Sequence, residues 1–364
     1  MDDIIIKKYT KAELMQLYHD SAFWEQDELP FTRARLACYL QNSRAEPEDV
    51  LWIMAFQGAN IVGYRALLPE YINTLEGVLK IAWSSSWWVD SKFRGTGLAQ
   101  ELNKAGFPLY NGVIIGAGNP WALKSSRRKD NFEAYQIRER KYYFLAMNKQ
   151  ILRDHKVSNP LIYTLLPLVN PLLSLISKTR IKRWLAKNKQ ANLKVEYIHK
   201  IDQESLDLIQ ANADRELVVK DAAYYEYRAF LPSKLALPSF ITKKHHSYFG
   251  NVGSAAECRI VKLWQADQLV GVINYCIVDK TLRIRLHHLL ANHEDKLVYL
   301  IAKICSRLPV EAIASQDAFV ISYLRRFKLP YLFCKTHTVP IIMTQSLVET
   351  IGPGRHFFDG EGGF

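Results

Sequence analysis

A short glycine-rich turn, Arg94-Gly95-Thr96-Gly97, carries the residues of this chain whose types and spacing best suit chemistry. It follows an apolar run that ends in two tryptophans, and a pattern of helical spacing begins directly after it at Leu98. A helix that starts this way directs several backbone N–H groups and the positive end of its dipole at one point. Gly95 and Gly97 let the backbone approach an anion, while Thr96 offers a hydroxyl and Arg94 a charge. The pattern predicts a phosphate-binding site.

Two common nucleotide-binding motifs are excluded at this turn. The Walker motif requires four residues between its glycines and then Lys followed by Ser or Thr, which the sequence after Gly95 does not provide. The dinucleotide-binding fingerprint requires a third glycine at the position where Gln100 stands. The phosphate is therefore expected to belong to another class of ligand.

The elements around the turn predict one α/β unit over residues 1–150, which is the size of a domain. Two helices separate the first strand from a hairpin whose turn lies at Gln57–Asn60. The next strand, VLKIAWSSSWWV, runs into the glycine-rich turn, and a helix over Leu98–Gly106 leads away from it. The unit is completed by a buried strand GVIIGAG, a short helix ALKSSRRK and a closing pair of strands in FEAYQIRERKYYFLAMN.

The segment from Val89 to Ala99 resembles the pyrophosphate-binding loop of the GNAT acyltransferase superfamily, whose motif is Gln/Arg-x-x-Gly-x-Gly/Ala. Arg94, Gly97 and Ala99 occupy the motif positions, and Gly95 is an extra glycine that many members carry. The order of strands and helices is similar as well. The resemblance implies an α/β (α+β) fold in which helices flank a mixed, mostly antiparallel sheet.

The resemblance also implies acetyl-CoA or another acyl-CoA as the donor. The backbone of the strand before the turn, here Trp88 and Val89, would pair with the pantetheine arm. The residue that ends the following strand, here Asn119, would contact the pantetheine or the acceptor. The backbone N–H groups of the loop would hold the diphosphate, and its residues here are Arg94, Gly95, Thr96, Gly97, Leu98 and Ala99.

Acyl transfer to an amine requires a base for the ammonium proton and in some cases an acid for the leaving thiolate. Members of the superfamily often carry the acid as a tyrosine in the helix after Asn119, but PWALKSSRRKDNF has none, so the candidate is Tyr135 in the next strand. Glu70, at a strand end, is the candidate base. Ser85 and its two serine neighbours could relay a proton through water, or they could be small residues that make room for the adjacent tryptophans.

Residues 193–364 repeat the same order of elements, which indicates duplication of one unit. The segment RLHHLLANHEDKLVYL stands where the glycine-rich turn would lie, and it lacks the motif. This copy is expected to bind no acyl-CoA and to help shape the acceptor pocket, as in two-copy members of the superfamily. His287 and His288 alternate along their strand, so at most one of them can face a cleft.

Residues 151–192 form the predicted connection between the two units. NPLIYTLLPLVNPLLSLI is apolar but contains three prolines, and the following SKTRIKRWLAKNKQ is basic. A transmembrane helix is rejected because the apolar run is interrupted and shorter than about 20 residues. Two interpretations remain: the leucines pack between the units, or the segment lies on an anionic membrane surface.

The composition is that of a folded protein with anionic ligands. The 364 residues are 49% hydrophobic and 23% charged, and the net charge is +12. Five cysteines without a Cys-x-x-Cys pair predict reduced thiols and no structural metal site. The start MDDIIIKKYT has no secretory pattern, which predicts a cytoplasmic protein, with peripheral attachment at the inner membrane surface as the alternative.

These patterns predict two tandem GNAT-like domains and an acyl-CoA-dependent N-acyltransferase. The simplest reaction is acetyl transfer to an amine of a small-molecule or saccharide acceptor, by direct attack on the thioester. A Fem-type aminoacyl transferase would also explain the positive charge, but its transfer-RNA-borne donor needs no diphosphate loop, so nucleic acid is not an expected partner. A non-catalytic protein that senses acyl-CoA or binds a membrane surface is the other alternative.

Overall fold

The fold is that of a computed structural model, which describes residues 4–26, 29, 31–117, 132–154, 157–190, 192–235, 256–351 and 355. Asn119 and the predicted helix ALKSSRRK lie outside the described residues, and Tyr135 is described only by its backbone.

Twelve strands are described, six from each half of the chain. Those of the first half are β1 (Ile4–Thr10), β2 (Val50–Gln57), β3 (Asn60–Asn73), β4 (Val78–Val89), β5 (Ile114–Ala117) and β6 (Phe132–Phe144). Those of the second half are β7 (Leu193–Ile198), β8 (Ala256–Gln265), β9 (Gln268–Val278), β10 (Thr281–Leu289), β11 (Ala312–Ser315) and β12 (Phe333–Thr344).

The described helices lie before, between and after these strands. Those up to the middle of the chain are α1 (Lys11–His19), α2 (Ser21–Trp24), α3 (Arg33–Leu40), α4 (Leu98–Gly106), α5 (Lys149–Asp154) and α6 (Pro160–Lys187). Those after it are α7 (Gln203–Gln210), α8 (Ala222–Leu235), α9 (Glu294–Arg307), α10 (Ala318–Arg326) and α11 (Gln345–Ile351). The predicted order of elements is confirmed where the chain is described, except for the short helices α2, α5 and α11, which were not predicted, and for the closing strands of the first half; α4 has the predicted bounds.

Polar side chains fix where several helices begin. Thr10 and Glu13 form a capping box at the start of α1, so that each side chain accepts from the other residue's backbone N–H. Asp202 caps α7 by accepting from the N–H of Ser205, and Asp317 caps α10 in the same way. The caps of α1 and α7 lie at corresponding places in the chain order, since each of these helices follows the first strand of its half.

All twelve strands form one sheet, in the order β1-β2-β3-β4-β5-β12-β6-β11-β10-β9-β8-β7. The pairs β4–β5 and β10–β11 are parallel, and the other described pairs are antiparallel. The predicted class, a mixed and mostly antiparallel sheet flanked by helices, is confirmed. The order is nearly symmetric about the centre, because each half builds its five outer strands in the same sequence.

The two halves exchange their last strands at the centre of the sheet. β12 from the second half lies beside β5 of the first, and β6 from the first half lies beside β11 of the second. β6 and β12 then pair with each other along their whole length. The prediction of a closing pair of strands within FEAYQIRERKYYFLAMN was wrong, because this segment is a single long strand whose antiparallel partner comes from the other half of the chain.

The connection between the halves contains one 28-residue helix, α6, with Pro167 and Pro171 inside it. Asn159 caps its start by accepting from the N–H of Leu161, and Pro160 takes the first position, where no N–H is needed. The helix lies against α9 of the second half, and Ile181 is fully buried in that half's core. By length and composition it is also apolar enough to cross a membrane.

Helix α8 joins the two halves on one face of the sheet. It belongs to the second half, where it packs on β8 and β9, but it also contacts α3 of the first half. Tyr224 and Tyr225 of α8 are fully buried in a core that includes Tyr39, Trp52 and Trp83 of the first half. On the opposite face, Leu98 and Leu102 hold α4 against β2 and β3. The glycine-rich turn is thereby fixed to a rigid sheet.

Candidate functional site

The predicted site lies at the end of β4, where this strand contains a β-bulge. Arg65 of β3 pairs with Trp87 and Ala66 pairs with Ser85, so Ser86 is the extra residue. Ser86 has a φ of 50°, which lies in the left-handed region that residues with a side chain seldom adopt. The bulge changes the direction of β4 just before the glycine-rich turn.

Beyond the bulge, β4 diverges from its parallel neighbour β5. The two strands pair only from Ala82 to Ser84, opposite Ile114–Gly116. β4 continues to Val89, and within the described ranges no strand pairs with this edge after Ser84. Trp88 and Val89 are held on their other side by β3. Their backbone is therefore placed to receive an extended ligand that carries amide groups.

Two glycines give the turn between β4 and α4 its shape. The φ angles are 83° at Gly95 and 92° at Gly97, both strained for any residue with a side chain. Gly97 is the N-cap of α4 and has no capping side chain. In the part of the chain that is described, no acceptor is bonded to the backbone N–H groups of Gly95, Gly97 and Ala99. Together with the exposed Arg94, they lie at the positive end of the α4 dipole, where an anion is stabilised.

Thr96 and Asp90 organise this turn. The backbone N–H and the hydroxyl of Thr96 both donate to the carbonyl of Phe93, at 3.3 and 2.8 Å. The Asp90 carboxylate accepts from the N–H of Lys92 at 2.8 Å, and the Asp90 N–H donates to the carbonyl of Val62 in β3 at 2.9 Å. The Thr96 hydroxyl can therefore reach a phosphate only by leaving Phe93, whereas the turn itself is anchored to the sheet.

A buried arginine connects the floor of the site to α4. The Arg65 guanidinium donates to the carbonyl of Asn103 at 3.3 Å and also to its side-chain oxygen. It lies 3.4 Å from the hydroxyl of Ser84, and Trp87 stacks over it with 6.0 Å to the ring centroid. On the same face, a side chain at Gly63 would meet Leu102 of α4 at 2.9 Å, so glycine allows the helix to lie this close. These contacts fix the distance between β4 and α4, which the glycine-rich turn joins.

A hydroxyl cluster on the other face of β4 was not predicted from the sequence. The Tyr39 hydroxyl of α3 lies 3.2 Å from Ser85 and 3.2 Å from Ser86, and the two serine hydroxyls are 3.4 Å apart. Arg35, one helical turn before Tyr39, donates to the same hydroxyl at 2.9 Å. Ser85 and Arg35 are both buried. Spacing of Arg35 and Tyr39 by four residues places them on one helix face, but only the fold shows that this face meets the serines.

Glu70 has a position different from the one expected. It lies within β3 rather than at an exposed strand end, and its side chain is 1% exposed. Its carboxylate is 3.2 Å from the guanidinium of Arg228 in α8 and 3.5 Å from that of Arg44, and it accepts from the N–H of Tyr71 at 3.1 Å. Burial raises the pKa of Glu70, and the two arginines act in the opposite direction. The carboxylate thus joins the two halves of the protein, and its role as a base stays a prediction.

Of the remaining candidates only Tyr135 is described, and only by its backbone. Tyr135 lies in β6 at a change of register, because Gln136 pairs with Ile341 and Ala134 with Ile342, which leaves Tyr135 unpaired as the extra residue of this irregularity. Asn119, predicted to end the strand after α4, lies outside the described residues. The roles of both residues stay predictions.

The second half repeats the backbone of the site with different side chains. β10 pairs with β11 only over Thr281–Arg283, and its register with β9 shifts around Arg285, as the bulge of β4 does. The turn that follows, Leu290–His293, contains no glycine. His287 lies 3.2 Å from the carboxylate of Asp317 at the start of α10, so a buried polar pair connects the diverging strand to the helix after β11.

The neighbouring His288 faces a different partner, Glu216. The ring nitrogen Nδ1 of His288 is 3.0 Å from Glu216, whose other oxygen is 2.6 Å from Nζ of Lys220. Burial opposes ionisation of Glu216, but His288 and Lys220 hold its pKa at about 2. Burial lowers the pKa of His288, against the effect of Glu216. The two histidines thus face in opposite directions, as their alternation in sequence predicts.

Comparison with known proteins finds similarity in structure but not in sequence. No protein-family model matches the chain, and no curated protein sequence matches it. A GCN5-related N-acetyltransferase from Kribbella flavida superposes with a TM-score of 0.52 at 10% identity, over 94% of this chain and 71% of that one. A putative acetyltransferase from Pyrococcus horikoshii gives 0.51 at 10% identity, over 100% and 95%. Saccharomyces cerevisiae N-myristoyltransferase with bound myristoyl-CoA gives 0.51 at 8% identity, over 94% and 83%. The similarity establishes a shared fold.

Proposed function

We propose that this chain, which has the fold of the GCN5-related N-acetyltransferases, is an acyl-CoA-dependent N-acyltransferase whose first half binds the donor. The observation that carries the proposal is the geometry after the bulge at Ser86: β4 leaves β5 and leads directly into a turn with two left-handed glycines at the N-terminus of α4. One continuous segment thus offers a strand edge that no described strand pairs with, and an anion site.

The donor would lie along this segment. The diphosphate of acyl-CoA would be held by the N–H groups of Gly95, Gly97 and Ala99, with Arg94 as the counter-charge. The pantetheine amides would pair with the backbone of Trp88 and Val89 on the side away from β3. Lipid-linked or free acyl donors without a diphosphate would leave the turn without a ligand. An acyl-CoA matches both features at once.

The reaction would take place beside the serines of β4. The amine nitrogen attacks the thioester carbonyl, a C–N bond forms, the C–S bond breaks, and coenzyme A leaves as a thiolate that takes up a proton. The amine must first lose its ammonium proton. The hydroxyls of Ser86, Ser85 and Tyr39, separated by 3.2 to 3.4 Å, form a path for that proton on the face covered by α3. The acceptor class we propose is the amine of a small molecule or a saccharide.

Isothermal titration calorimetry with acetyl-CoA tests the donor site. Gly97→Glu introduces both strain, at a φ of 92°, and a negative charge at the proposed diphosphate site. We expect it to weaken binding at least about tenfold, since a like charge at an anion site costs more than a lost hydrogen bond. Gly58→Glu is the matched control, because Gly58 is also left-handed, with a φ of 59°, but lies in the β2–β3 turn.

The two variants give distinct outcomes. Loss of binding in Gly97→Glu alone supports the donor site, and the same titrations with longer acyl-CoAs rank chain length. Equal affinity in the two variants, or no heat with any acyl-CoA for the wild type, would refute the proposal.

A non-catalytic acyl-CoA sensor is the second candidate function. The observation in its favour is that the carboxylate of Glu70 is occupied by Arg44 and Arg228. Thiol release separates the two candidates, because a sensor binds acyl-CoA without releasing coenzyme A in the presence of any amine. An enzyme releases thiol at a rate that depends on the amine and on Tyr39.

A further inference from the structure

The outward face of helix α6 is an exposed apolar surface. Its residues follow helical spacing over about 24 Å of helix axis, since each residue rises about 1.5 Å. Each of the seven aliphatic side chains is at least 41% exposed, and they are Leu161, Leu165, Leu168, Val169, Leu172, Leu175 and Ile176. We call this set the α6 apolar face. A contiguous surface of this kind marks a binding site in a folded protein.

The inward face of the same helix combines the buried Leu166 and Ile181 with two polar side chains that bond to the backbone of the segment before the helix. The Asn170 amide both accepts from the N–H of Met147 at 3.0 Å and donates to its carbonyl at 2.7 Å. The Ser177 hydroxyl donates to the carbonyl of Leu145 at 2.6 Å. A helix whose outer side met only water would carry polar side chains there, not seven exposed aliphatic ones. The α6 apolar face is therefore built for a medium other than water.

The chemistry of that medium is indicated by charge. The second part of α6 and the residues just after it carry six basic residues, which are Lys178, Arg180, Lys182, Arg183, Lys187 and Lys189. No acidic residue occurs from Val157 to Gln190. Lys182 and Arg183 are exposed, and helical spacing places them along the same side as Leu168 and Leu172. An apolar surface that continues into a basic one matches the acyl layer and the phosphate headgroups of an anionic bilayer.

A helix anchored along its length is suited to lie on a membrane, not to cross it. Besides the contacts of Asn170 and Ser177, Trp184 donates to the carbonyl of Phe327 at 3.0 Å, and Ile181 is fully buried. Crossing would break all of these contacts. A second copy of the chain is a poorer partner for this face, since it would bring six further positive charges to the same interface.

We propose that the α6 apolar face and its basic extension dock this protein on the surface of an anionic lipid bilayer. The docking is independent of the proposed acyltransferase activity, because α6 contributes no residue to the site on β4.

Flotation of the full-length protein with lipid vesicles tests the proposal. We expect the wild type to float with phosphatidylcholine vesicles that contain phosphatidylglycerol, and to float far less with phosphatidylcholine alone. Leu168→Gln/Leu172→Gln should weaken binding to both kinds of vesicle at least about tenfold, since two inserted leucines are lost. Lys182→Gln/Arg183→Gln should weaken binding only to the anionic vesicles, by roughly fivefold for each charge.

A matched control shows whether the effect is specific to this face or follows from removing any two exposed apolar side chains. Leu75 and Val78 are 69% and 63% exposed at the β3–β4 turn, compared with 74% for Leu168 and 59% for Leu172. Leu75→Gln/Val78→Gln should leave flotation unchanged. Circular dichroism and thermal unfolding should show all three double variants folded, because the side chains they change are exposed.

Several results would overturn the proposal. It is wrong if the folded wild type floats with no vesicle, or if Leu168→Gln/Leu172→Gln floats as the wild type does. A dimer in light scattering that this variant dissociates, without vesicle binding by the wild type, would make the face an interface between copies. Retention in vesicles through both a high-salt and a carbonate wash would show a crossing helix instead.

Discussion

Replacing Arg228 with methionine tests whether Glu70 is a structural carboxylate or a base. Arg228 lies 3.2 Å from Glu70, and the two side chains are 2% and 1% exposed. Removing one partner of a buried ion pair destabilises a protein by roughly 3–5 kcal/mol, because the other charge is left without compensation. Arg44 remains 3.5 Å from the carboxylate. We therefore expect Arg228→Met to lower the free energy of unfolding by about 3 kcal/mol at neutral pH.

The effect should depend on pH in a defined direction. Burial raises the pKa of Glu70, and Arg228 is the first of the groups that oppose this rise. When a carboxyl group has a higher pKa in the folded state than in the unfolded state, the free energy of unfolding of the protein falls as the pH rises between these two values. Without Arg228 the folded-state pKa rises further. Urea unfolding across acid and neutral pH should show that the defect of Arg228→Met is smaller on the acid side.

The double variant Glu70→Gln/Arg228→Met distinguishes the two roles. A neutral amide leaves no buried charge without a partner, so the double variant should be more stable than Arg228→Met alone, with a coupling of at least about 1 kcal/mol. If Glu70 is structural, thiol release should recover together with stability. Additive effects within about 0.5 kcal/mol, or loss of turnover in Glu70→Gln at unchanged stability, would refute the structural interpretation and support the base.

Three further predictions follow from other contacts. Tyr39→Phe should lower the rate of thiol release about 100-fold while leaving the acyl-CoA affinity unchanged, because it breaks the hydroxyl path to Ser85 and Ser86. Tyr110→Phe is the control: it loses a 3.2 Å hydrogen bond to the carbonyl of Val50 and should leave this rate unaffected. In urea unfolding, Ile181→Ala should lower the free energy of unfolding by about 2–5 kcal/mol and Leu168→Ala by less than about 0.5 kcal/mol, since Ile181 is buried and Leu168 is 74% exposed. Equal losses of stability would contradict the assigned helix faces. Asp317→Ala should lower the free energy of unfolding by roughly 2–3 kcal/mol, because it removes both the cap of α10 and the partner of His287. Asp20→Ala, which removes only the cap of α2, should lower it by about 1 kcal/mol in the same measurement.

The glycine-rich turn could be predicted from the sequence because its determinants are local. Gly95 and Gly97 are required by left-handed backbone angles, and the helical pattern from Leu98 sets the start of α4. The repeated order of elements in the second half was predictable for the same reason, since strand and helix periods are properties of short segments. The sequence also shows directly that the segment before α9 lacks the glycine-rich motif.

The surroundings of the candidate site could not be predicted, because they depend on contacts between residues far apart in the chain. Tyr39 and Ser85 are separated by 46 residues, and Glu70 and Arg228 by 158. A carboxylate within an apolar strand gives no local sign that an arginine from the other half will cover it. The apparent strand-end position of Glu70 therefore indicated exposure, where the fold imposes burial.

The sequence by itself determined most of the elements, their order and the glycine-rich turn, because each of these is encoded within about 15 residues by periodicity, caps and glycines. Only the tertiary structure decided that β6 and β12 change places between the halves, since strand pairing depends on edges that distant segments provide. It also decided the direction of α6. Both sides of this helix contain leucines, and only its contacts with Met147, Leu145 and Phe327 show which side faces outward.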